Sequence, residues 1–109
     1  MEELLKNWQV QINKGFYPYI ILKSLISRKQ YGYSLIVSIN DQMGLNVSEG
    51  TIYPILIRLN EIGLINSEWV ERKSGIPRKY YELSENGMKT IEHMEFLIEG
   101  YVKQMKQIS

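Results

Sequence analysis

SEGTIYPILIRLNEIGLINSEW, residues 48–69, is the stretch whose reading decides the fold. Ser48 is a good N-cap residue, because a serine hydroxyl can accept from the free backbone N–H groups of a first helical turn. Glu49 stands where the positive end of the helix dipole favours an acid. Ile52, Ile55, Leu56, Leu59 and Ile62 then recur at three- and four-residue spacing and form one apolar stripe. Gly50, Pro54, Ile57, Arg58 and Glu61 fall on the opposite side, Thr51 and Tyr53 flank it, and Gly63 stops the element. Pro54 is awkward there, since it removes a backbone bond and crowds the carbonyl four residues back. Propensity alone would start the helix at that proline.

Outward from this helix the pattern continues in both directions. Residues 32–43 place Leu35, Ile36, Ile39 and Met43 on one face, and Gly44 can close that helix with positive φ. Only about four residues join the two helices. Downstream, Leu64–Glu71 and Arg78–Ser84 have strand-like content and are separated by the turn-rich Arg72–Pro77. Ser84 then caps a last helix. A helix-turn-helix followed at once by a hairpin is a helix-turn-helix with a wing. Towards the N-terminus, Leu4, Leu5, Trp8 and Ile12 make residues 2–14 an amphipathic helix. Gly15 and Pro18 are expected to interrupt it, with Pro18 restarting or kinking a segment that runs on from Tyr19 to Arg28. The expected fold is mainly α with a small β-hairpin (α+β), a winged helix-turn-helix with N- and C-terminal dimerisation helices. Residues 1–83 would form the DNA-binding domain with its helical extension, and 84–109 the C-terminal dimerisation helix.

The 109 residues suit one domain, 44% hydrophobic and 23% charged. The net charge of +1 hides an uneven distribution. Arg72, Lys73, Arg78 and Lys79 stand together with no acid among them, as a short DNA contact element requires. With no cysteine and a single histidine, His93, there is no thiol nucleophile, disulfide framework or zinc ligand set, and no glycine-rich phosphate loop is present. No catalytic residue, metal or cofactor is therefore expected. No apolar run approaches the ~18 residues of a membrane span, and the start lacks the form of a signal peptide. A cytoplasmic protein is expected.

KGFYPYIILKSL, QYGYSLIVSI, LNVSEGTIYPILIRLNEIGLINSEW and GIPRKYYELSENG together cover about residues 14–87. In their order and spacing they resemble the PadR family of transcriptional regulators. Ser84 stands where that family commonly has threonine; both residues cap helices. The resemblance implies that the helix at 49–62 runs through Pro54 with a local distortion. It also implies a homodimeric repressor bound to operator DNA, of the short subfamily with a single C-terminal dimerisation helix. A small aromatic effector is a further possibility that related regulators suggest.

Within such a fold, the recognition helix offers Ser48, Gly50, Thr51, Tyr53 and Arg58 to the major groove of a pseudo-palindromic site in double-stranded DNA. Tyr53 could equally be a core aromatic. Tyr31, Tyr33 and Ser34 open the preceding helix, whose N-terminus favours phosphate. The wing contributes Arg72, Lys73, Arg78, Lys79 and Tyr80, although Tyr80 and Tyr81 point to opposite strand faces and at least one should pack. Along the last helix, Ile91, Met94, Ile98, Tyr101, Met105 and Ile108 step by three and four, a seam expected to pair with Leu5, Trp8 and Ile12 of a second subunit. Trp8, Phe16, Met94 and Phe96 are the aromatic and methionine residues expected to line an effector pocket. Two rival functions keep the fold: a centromere-binding or architectural DNA protein of a plasmid or phage, and a winged helix that docks only proteins.

Overall fold

A computed structural model describes all of residues 1–109. Four helices, α1 (Glu2–Ser24), α2 (Gly32–Met43), α3 (Glu49–Glu61) and α4 (Glu85–Lys106), surround a small sheet of β1 (Gln30–Tyr31), β2 (Ile65–Val70) and β3 (Arg78–Leu83). The sheet is antiparallel in the order β1-β3-β2, with Gln30 opposite Tyr81 on one side and Ser67 opposite Tyr81 on the other. Ile21, Leu22, Leu35, Ile39, Ile52, Leu56, Ile65 and Ile91 are fully buried and form one core. The end of α1, the helix-turn-helix, the hairpin and the first turns of α4 share it.

Several expectations are corrected. Gly15 and Pro18 do not interrupt α1, which is continuous from Glu2 to Ser24. A proline orphans the carbonyl four residues earlier. For Pro18 that residue is Lys14 and for Pro54 it is Gly50, both exposed, so water can satisfy the freed oxygens. α3 likewise runs through Pro54. The first helical region stops at Ser24 instead of Arg28 because Gln30 and Tyr31 are drawn off as a third strand. Gln30 is 4% exposed, and its Nε2 donates to the Ser24 carbonyl at 2.9 Å, which helps satisfy the end of α1.

Local signals at the other boundaries act as their chemistry dictates. Gly44 and Gly63 end α2 and α3 with φ of 62° and 80°. Ser84 Oγ accepts from the Gly87 N–H at 3.0 Å and donates to the Gly63 carbonyl at 2.7 Å, tying the start of α4 to the end of α3. Ser48 has the extended backbone of an N-cap, but its hydroxyl receives no capping bond. It lies 3.3 Å from Thr51 Oγ1 instead.

The apolar seam of α4 also divides. Ile91 is 2% exposed and belongs to the core of its own domain, so it is unavailable to a partner. Ile108 lies beyond the last helical residue, Lys106. Met94 packs partly on the core, whereas Tyr101 and Met105 are exposed as α4 leaves the domain.

Candidate nucleic-acid interface

The start of α2, the middle of α3 and the base of the wing converge on one cleft of about 400 Å³. Tyr31 enters it from β1, Tyr33 from α2, Tyr53 and Ile57 from α3, and Trp69, Arg78 and Lys79 from the hairpin. Segments distant in the chain meet there because the sheet carries both the hairpin and β1, which leads directly into α2. Arg78 places its guanidinium 4.1 Å from the centroid of the Tyr31 ring. Tyr31 in turn meets Tyr80 edge-on at 5.5 Å. Such contacts hold the wing base against the helix-turn-helix without neutralising the arginine.

The cations are free to meet an anion. Ion pairs join Lys23 to Glu95, Lys29 to Glu68 and Lys89 to Glu85, and none involves Arg58, Arg72, Lys73, Arg78 or Lys79. Arg72 and Lys73 are exposed on the wing, and the Arg72 guanidinium crosses the space that a side chain at Gly75 would fill. Gly75 has φ of 94°, so the turn needs its glycine for backbone, while the mobile Arg72 side chain can give way to a Cβ. Lys79 stands opposite Trp69 in the ladder, its Nζ 5.8 Å from the indole centroid.

The expected contact residues separate by environment. Ser48 is exposed just before α3, Gly50, Thr51 and Arg58 on it, and Tyr33 on α2. Tyr53 is half-buried, and a Cβ placed on Gly32 would come within 2.6 Å of its ring and hydroxyl. Burial, and next the negative charge of Glu49, push its phenol above the ordinary range. Its ring therefore closes the helix-turn-helix as well as bordering the cleft. Ser34 is half-buried and donates to Gln30 Oε1 at 3.3 Å. Tyr81 is the packed member of the tyrosine pair; Tyr80 lies on the other sheet face, outside the cleft. Sequence reasoning missed Ile57, Trp69 and Arg28. Arg28 borders the groove beside Tyr31, Tyr33 and Ser34. The signal for Ile57 was a large apolar residue alone on the polar side of α3.

Away from this face, α1 and α4 lie together. Lys23 and Tyr19 both donate to the same carboxylate oxygen of Glu95, the tyrosine at 2.7 Å. These bonds, Lys23's first, hold the Glu95 carboxyl below its usual range, and the Glu95 bond raises Tyr19 and Lys23. Beside them an apolar cleft of about 460 Å³ is lined by residues including Ile12, Phe16, Met94, Ile98, Tyr101 and Met105. Trp8 and Phe96, expected in the pocket with Phe16 and Met94, are not in its wall. Trp8 is 60% exposed farther out on α1. Phe96 is 77% exposed, because its offset of two residues from Met94 and Ile98 turns it about 200° around the helix. No group of His, Asp or Glu side chains is arranged to hold a metal ion, and no helix is long and apolar enough to cross a membrane.

Residues 21–93 match the transcriptional regulator PadR-like family. Among solved structures, a PadR-like transcription factor from Bacteroides fragilis is 33% identical, with a TM-score of 0.81 over 94% of this chain and 99% of that one. A transcriptional regulator from Clostridium thermocellum is 26% identical, with a TM-score of 0.81 over 90% and 94% of the two chains. A PadR family transcriptional regulator from Eggerthella lenta is 25% identical, with a TM-score of 0.81 over 95% and 87%.

Proposed function

This chain belongs to the PadR-like family of transcriptional regulators, and from that premise we propose that it is a homodimeric repressor whose grip on a pseudo-palindromic operator is relieved by a small aromatic effector. The cleft shared by α2, α3 and the wing carries the reading. It brings a recognition helix and unpaired cations onto one face and leaves acids out of its lining. Thr51, Arg58 and the exposed first turn of α3 would approach base edges. Tyr33 and the wing residues Arg72, Lys73, Arg78 and Lys79 would hold phosphates. A winged helix that docks only proteins has no use for this concentration of unneutralised positive charge.

Dimerisation draws support from the surface that α1 and α4 leave uncovered. Leu4, Leu5 and Trp8 on α1 and Leu97, Tyr101 and Met105 on α4 are large, apolar and exposed. Burial of each such side chain is worth roughly 1.5–3 kcal/mol. A Cβ added at Gly15 or at Gly100 would meet no neighbour within 4 Å, so no contact within the protomer calls for a glycine at either place. The apolar cleft beside Phe16 and Met94 is the place for a flat effector, where it would bear on the helices that set the spacing of two recognition helices. Genome-wide binding followed by footprinting tests the proposal. Paired protection about one helical turn apart, or a multiple of it, upstream of regulated genes is expected. A single asymmetric half-site bound by monomers would sink it.

A further inference from the structure

Ile57 is an apolar exception on the solvent side of α3. It is 53% exposed and lines the cleft with Trp69, itself 67% exposed on β2. A nearby bond ties the two elements that carry them, in which Asn60 Nδ2 donates to Ser67 Oγ at 2.8 Å. Ile57 lies one helical turn before Asn60, and Trp69 two strand residues after Ser67, so each shares the face of the bonded residue. The pair is framed by Tyr33, Arg78 and Lys79, and no acid lines the cleft. An exposed isoleucine beside an exposed tryptophan is an unfavourable surface unless something covers it. The flanking cations and the continuity with the recognition helix select a nucleic-acid strand as the cover.

A base pair offers one apolar group in the major groove, the thymine 5-methyl. We propose that Ile57, backed by Trp69, is a specificity-determining residue that receives a thymine 5-methyl at the edge of the operator groove. The inference rests on the operator-binding reading above. Cations on phosphate cannot distinguish sequences, whereas this contact can. Burying one methyl corresponds to about a fourfold gain in affinity.

The test begins by selecting a preferred duplex from a random-sequence library with the full-length protein. Its thymines are then replaced one at a time by deoxyuridine, which deletes only the methyl. At one symmetry-related pair of positions, deoxyuridine should weaken the native protein about fourfold per methyl. Ile57→Ala should bind the thymine and deoxyuridine duplexes alike, at the weaker level, while Ile57→Val keeps a measurable difference. Ile62→Ala, exposed but outside the cleft, should behave as the native protein. Alanine suits an exposed helical position, and a circular-dichroism melt checks that Ile57→Ala is folded. Deoxyuridine without effect at every position would overturn the inference, as would an equal loss by Ile57→Ala on selected and random duplexes. Failure to select any preferred duplex would overturn the operator reading as well, which separates the two.

Discussion

At the scale of single residues, two glycines and two lysines make the sharpest claims. A Cβ on Gly87 would collide with the backbone carbonyl of Leu64, which is fixed in the β2 approach and cannot swing aside. A Cβ on Gly32 meets only the outer end of the Tyr53 ring, which can move at some cost. Gly87→Ala should therefore be the more destabilising, by about 1–3 kcal/mol or more in urea melts. Gly32→Ala should lose less stability but displace Tyr53 and weaken DNA binding. On the wing, Lys73→Ala and Lys79→Ala should each weaken binding to all sequences alike. Each should also reduce the slope of log K against log salt by about one. An unchanged slope in titrations between low and moderate salt would remove that lysine from the interface. The four wing cations could be read from sequence because they are consecutive or nearly so. The partners of Gly32 and Gly87 could not, because a glycine's reason for being small lies in whatever approaches it.

Elements show the same division between local chemistry and long-range contact. The start of α4 was legible, because Ser84 precedes a helical pattern and acts within three residues of itself. Its second bond, to the Gly63 carbonyl, joins two elements and was not legible. Ser84→Ala should lose both, costing about 1–2 kcal/mol in thermal or chemical melts. The clamp of Tyr19 and Lys23 on Glu95 holds α4 to α1. Because the Glu95 carboxyl is depressed in the folded chain, its stabilisation is present above the ordinary carboxylate range, roughly pH 4. That contribution is lost as pH falls through the depressed value. Glu95→Gln should accordingly flatten the acid limb of the stability curve and speed hydrogen exchange in α4, with little change in the shape of the curve near neutrality. An acid limb identical to the native one would show that the clamp does not hold the helix. Pro18 misled the reading of α1 because a proline's cost depends on whether the orphaned carbonyl is buried, and that of Lys14 is not.

The whole molecule has a radius of gyration of 16.0 Å and extends 60 × 32 × 21 Å. A compact domain of this length would have a radius of about 13 Å. The excess reflects helices that project beyond the core and carry exposed apolar side chains, a shape that accords with the dimer proposed above. Leu97→Glu with Met105→Glu should yield a monomer in sedimentation that keeps its helical content and binds a single half-site weakly. A dimer persisting in that variant would move the interface off α4.

By itself, the sequence determined the order of the helices and the hairpin, both ends of α2 and α3, the starts of α1 and α4, and the family. Each depends on spacing, capping or backbone preference within a few residues. The tertiary structure alone decided that Gln30 and Tyr31 form a strand, that Ile91 turns inward while Tyr101 faces out, and that Trp8 and Phe96 stand outside the apolar cleft. It also decided that Ile57 and Trp69 line one cleft. Burial and strand pairing are relations between distant segments, and helical periodicity names an apolar face without saying which surface will cover it.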